Sequence, residues 1–143
     1  MVRFLFLFLF LMSCSGVEKK NKIKNYIYKN ERVRLTVYWK EGSGSDMWTR
    51  QGISSTGEKL INKASVAVDP SFIPYGSEVL IPELGISAVA VDTGTAVINK
   101  IASIKMGENF PVVDLFFENK KDAIIFSKES PLFVDVDVIE NKG

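Results

Sequence analysis

Three aspartates close apolar runs in this sequence: Asp69 after Val66-Ala67-Val68, Asp92 after Val89-Ala90-Val91, and Asp114 after Val112-Val113. A carboxylate at the end of such a run stands where a strand emerges, and a sheet can gather several strand ends into one acid/base site. Taken singly, Asp69 before Pro70 and Asp92 before Thr93-Gly94 have local explanations as turn-starting side chains. Asp114 has no such explanation, because Leu115-Phe116-Phe117 continues the apolar run beyond it. Apolar surroundings and a nearby second carboxylate both disfavour the ionised form, which makes Asp114 the candidate proton donor near neutral pH.

The sequence has no histidine, so Ser-His-Asp and Cys-His nucleophiles and histidine-ligated metals are excluded. Carboxylates, hydroxyls and lysines remain, and they suit glycosidic or aspartic-type bond cleavage better than acyl transfer. No cofactor or metal is called for. With 18 basic against 17 acidic side chains, the chain lacks the basic excess of a nucleic-acid reader.

The elements that would position the aspartates are short. Alternating or continuous β-branched and aromatic residues predict strands over 35–39, 64–68, 78–81, 86–91, 112–117 and 133–139. One helix is predicted from Lys120 to about Ser127, capped by Asn119. In the last strand Val134, Val136 and Val138 should face the core, and Asp135 and Asp137 solvent. Such a set predicts a mainly β chain closed, or nearly closed, into a small barrel. The stretch 98–111 fits a helical turn, a hairpin or a loop.

The first residues read as an export signal, since Met1-Val2-Arg3 precedes an apolar run, Phe4 to Met12, too short to span a bilayer. Leu11-Met12-Ser13-Cys14 resembles the lipobox of bacterial lipoproteins, and Cys14 is the only cysteine. The expected organisation is a signal peptide over 1–13, a lipidated Cys14 opening a basic tether over 14–34, and a folded domain over 35–143. Lipidation would hold the domain at the cell envelope. Ser15 follows Cys14 where Asp would suggest inner-membrane retention, which favours the outer membrane in a cell with two membranes. A monomer is favoured.

Read together, Ser55-Thr56-Gly57, Val66-Ala67-Val68-Asp69-Pro70-Ser71-Phe72-Ile73-Pro74-Tyr75-Gly76, Val91-Asp92-Thr93-Gly94 and Val113-Asp114-Leu115-Phe116-Phe117 resemble the three-aspartate (3D) domain. That domain occurs in bacterial cell-wall proteins and in membrane-bound lytic transglycosylase A. The resemblance implies a six-stranded double-psi β-barrel, peptidoglycan glycan strands as substrate, and cleavage of the MurNAc-GlcNAc β-1,4 bond with closure of a 1,6-anhydro ring. It implies that Asp114 protonates the glycosidic oxygen and then, as carboxylate, takes the proton of the sugar's 6-hydroxyl. Asp92 would tune Asp114 and offset positive charge on the sugar ring, and Asp69 would complete the cluster. Thr56 and Lys59 are candidates for binding the substrate, and Thr93 with Gly94 for shaping the cleft. The chain departs from the family in having Thr95 for a second glycine and a longer connection from Ala96 to Val113.

Trp39, Trp48, Tyr38 and Tyr75 are able to stack on sugar rings, with core packing the alternative for Tyr38 or Trp39; Trp48, in a polar loop, is the better ligand candidate. Two other functions use the same residues. One is a non-catalytic glycan-binding envelope lipoprotein; the other, less favoured, is a dimeric aspartic-type protease built on Asp92-Thr93-Gly94.

Overall fold

The computed structural model of the chain describes residues 25–42 and 44–142. The expected signal peptide, Cys14 and the first part of the tether lie outside them. The described residues form strands β1 (Asn25–Trp39), β2 (Ser65–Ala67), β3 (Glu78–Ile81), β4 (Ile86–Asp92), β5 (Val112–Phe117) and β6 (Phe133–Lys142). Helices α1 (Met47–Arg50), α2 (Ile101–Ile104) and α3 (Lys120–Glu129) intervene. The strands close into a barrel in the order β1-β5-β2-β4-β3-β6. Pairs β1/β5 and β2/β4 are parallel and the other four antiparallel.

The period-two pattern of the sequence sets which residues turn inward. Val134, Val136 and Val138 of β6 are buried while Asp135 is exposed, and Leu35, Val66, Ile81, Val113 and Leu115 complete a dry interior. Each fully buried side chain of this kind contributes about 1.5–3 kcal/mol. Helix α3 closes one side of the barrel by burying Ala123 and laying Phe126 5.1 Å from the ring of Phe117. Its start is fixed as expected, with Asn119 accepting a hydrogen bond from the Asp122 amide. Between β3 and β4, Gly85 takes φ +63°, a left-handed turn natural to glycine, and its amide returns to the Pro82 carbonyl.

Two expectations are corrected. The tether was expected to run to residue 34, but β1 already begins at Asn25 and pairs with β6 from Asn25/Lys142 to Arg34/Phe133. Tyr26, Ile27, Tyr28, Lys29 and Asn30 are all exposed, so this arm has no buried face to give a strand pattern. Pairing with β6 holds it, reinforced by Tyr28 and Asn30 donating to Asp137 at 2.6 and 2.8 Å. The second correction concerns α1, a helix that the sequence pattern does not predict. With a single turn it is too short to show a helical period, and the Asp46 side chain caps it by accepting from the Thr49 amide.

Candidate active site

Strand register brings two of the three motif aspartates together on the outside of the barrel. Thr36 of β1 faces Asp114 of β5, Asp114 faces Ala67 of β2, and Ala67 faces Asp92 of β4. The two carboxylates thus flank the small Ala67 side chain, with their Cα atoms about two strand spacings, roughly 9–10 Å, apart. Asp92 reaches this face through a β-bulge. Val66 pairs with Ala90 but Ala67 pairs with Asp92, so Val91 is an extra residue in β4. Strict alternation after the inward-facing Ala88 and Ala90 would have turned Asp92 into the barrel; the bulge re-aims it outward.

Asp92 and Asp114 line a cleft of about 300 Å³ with Tyr38, Asp46, Thr49, Ala67 and the turn Thr93, Gly94, Thr95 and Ala96. Asp92 is almost fully buried and held by three donors: the Tyr38 hydroxyl at 2.8 Å on Oδ2, and the Ser55 and Thr93 amides at 2.8 and 2.9 Å on Oδ1. Asp114 receives the Thr36 hydroxyl at 2.8 Å. Burial pushes the Asp114 carboxyl up to about 7, with the Thr36 hydrogen bond opposing and the Asp92 charge adding to the rise. Burial, followed by the charge and hydrogen bond of Asp92, holds the Tyr38 hydroxyl protonated. The cleft therefore pairs a carboxyl that gains and loses a proton near neutrality with a carboxylate fixed by hydrogen bonds.

Asp69 is held elsewhere. It is buried, but it does not line the cleft; its Oδ1 accepts from the Ser71 amide and hydroxyl at 3.0 and 2.7 Å, and its Oδ2 from the Asn99 amide at 2.9 Å. Burial opposes ionisation there, but the bonds from Ser71 and Asn99 outweigh it and keep the carboxyl below its ordinary range. Asn99 and Lys100 are both left-handed, at φ +52° and +59°. Asp69 is thus a strut under the strained start of the long connection, whose Val97, Ile98 and Ala102 pack on Ala67, Val112 and Tyr38. Of the helical turn, hairpin or loop that the stretch 98–111 fits, the structure has the helical turn α2, and the connection packs behind the cleft-lining Ala67 and Tyr38.

Of the expected ligand contacts, Thr93 and Gly94 line the cleft, and Thr56 and Lys59 do not. Thr56 donates to the Val91 carbonyl at 2.7 Å, pinning the bulge, and with Lys59 and Tyr75 lines a neighbouring cavity of about 450 Å³. Trp48 is exposed on α1 beside cleft-lining Thr49 and does not line the cleft itself. Trp39 packs on the core, whereas Tyr38 faces the cleft. Sequence reasoning did not single out Thr36, Asp46 or Ser55. The i, i+2 spacing of Thr36 and Tyr38 puts them on one face of a strand, but only the pairing with β5 shows that Asp114 lies there.

The family model described as the 3D domain matches residues 64–127. Solved structures of the E. coli lytic transglycosylase MltA are similar at 19% identity. An aspartate-to-alanine variant in an apo form aligns with TM-score 0.43 over 64% of this chain and 28% of that one. A second MltA crystal structure aligns with TM-score 0.41 over 62% and 27%. The chain thus spans little more than a quarter of the MltA length. No curated protein matches. All three motif aspartates lie inside the segment that the 3D domain model matches, Asp92 on β4, Asp114 on β5 and Asp69 two residues beyond β2.

Proposed function

We propose that this protein is a peptidoglycan lytic transglycosylase in which Asp114 serves first as acid and then as base. The carrying observation is the pairing of Asp114, lifted to about 7 by burial, with the hydrogen-bonded Asp92 across Ala67 in one open cleft. In the first step protonated Asp114 gives its proton to the glycosidic oxygen as the bond to the muramic-acid C1 breaks, and Asp92 offsets positive charge on the ring. In the second, Asp114 as carboxylate takes the proton of the 6-hydroxyl as that oxygen bonds to C1. No water is consumed, and the acid is restored. The buried, unpartnered Thr93 Oγ1 beside the cleft is a polar group of the kind a saccharide hydroxyl satisfies. Cys14 as a lipid anchor would place this activity at the cell envelope, with the outer membrane favoured.

Incubation of the protein with purified peptidoglycan, followed by mass spectrometry, tests this reading. Muropeptides ending in 1,6-anhydro rings are the expected product. Ordinary reducing ends would make the enzyme a hydrolase, and retained binding without product would make it a glycan-binding module.

A further inference from the structure

Asp69 stands outside the cleft, yet a third carboxylate does line it: Asp46, from the loop between β1 and α1. We infer that Asp46 binds substrate, accepting a hydroxyl or acetamido N–H of the saccharide on which Asp114 acts; this rests on the glycan reading above. Its position is built, because Oδ1 caps α1 by accepting the Thr49 amide at 2.8 Å, which fixes the side chain at the cleft wall. A carboxylate accepts up to about four hydrogen bonds, so the cap leaves capacity for a ligand. The Thr49 amide also holds the Asp46 carboxyl below its ordinary range, so it is an acceptor at neutral pH. Its charge is felt at Tyr38 after those of Asp92 and Asp114, which puts all three acids around one space. Asp114 and Asp92 are committed to proton transfer and charge compensation. Asp46 is the cleft carboxylate left to recognise the N–H and O–H donors that cover an amino sugar.

Capping and recognition separate cleanly, because Asn caps a helix about as well as Asp but carries no charge. The test measures binding of peptide-stripped glycan strands by full-length protein, with Asp114→Asn present throughout to prevent turnover. Adding Asp46→Asn should weaken binding about ten- to a hundredfold, the range for losing hydrogen bonds to a charged acceptor, with the thermal midpoint unchanged. Asp46→Ser, also a cap, should behave alike and covers the case of a poorly folding Asn variant. Unweakened binding in both capped variants, with loss only in Asp46→Ala, would overturn the inference and leave Asp46 a cap alone. Absence of binding even with Asp46 intact would overturn the glycan reading itself and this inference with it.

Discussion

Inside the barrel, strands β1, β5, β2 and β4 present Leu35, Leu115, Val66 and Ala90; outside, the neighbouring residues Thr36, Asp114 and Ala67 and, one bulge residue further, Asp92 form a row on the same strands. The inner set is apolar and shape-matched. The outer set is a polar row interrupted by one small alanine. Burial pays for the fold on one side of each strand, which leaves the other side free to hold a carboxyl in an unfavourable environment. The two faces should therefore answer differently to substitution, one in stability and the other in turnover.

The sharpest break between them is Asp114→Asn. Anhydro-product formation should fall by about 10²–10⁴-fold, as for removal of a general acid, measured by single-time-point muropeptide analysis. Stability should move the other way. A carboxyl raised above its unfolded value binds more protons folded than unfolded, so the wild type loses stability as pH rises from about 4 towards 7. Asp114→Asn should lack that slope and have the higher melting temperature above about pH 7; the opposite order would refute the buried-acid description. Activity of the wild type should decline through the same upper range as the acid form is lost.

A cut into the inner face should do the reverse. Ile81→Ala removes a fully buried side chain far from the polar row and should cost about 2–5 kcal/mol in denaturant unfolding. Activity per folded molecule should stay at the wild-type level, and a large loss would show that the faces are not independent. Ala67→Leu sharpens the comparison from the outside, since the added bulk fills the space between the carboxylates. Turnover should drop on the order of 10²-fold, the scale of displacing a substrate by about 1 Å. The smallest effect is expected at Asp69→Ala, which strands the Asn99 and Ser71 amides and should cost about 1–3 kcal/mol, read as a lower thermal midpoint. A complete loss of activity with no stability change would restore Asp69 to the chemistry.

Much of the barrel was legible because buried strands leave a record in apolar and alternating residues: β3 and β5 have the bounds that their sequence patterns predict. Asp114 stood out for the same reason, as one charge inside such a run. The first half of β1 was not legible, since its side chains are exposed on both faces and its strand conformation is imposed by β6. Taken as residues alone, apart from the family resemblance, Asp69 and Asp92 read alike. Both close Val-rich runs, and only the Asn99 contact and the bulge in β4 send one beneath the long connection and the other into the cleft. Asp46 left no signal beyond a polar loop, because its value lies in where α1 begins.

The extra residue at Val91 has a consequence for inheritance. With Val91 present, two residues of β4 share one partner, and the reading frame of inside and outside changes at Asp92. A one-codon deletion at Val91 would carry the Asp92 carboxylate from the cleft into the apolar interior, where Ala88 and Ala90 already face. The unit that must be copied intact for the chemistry to persist is therefore a count of residues as much as a set of letters.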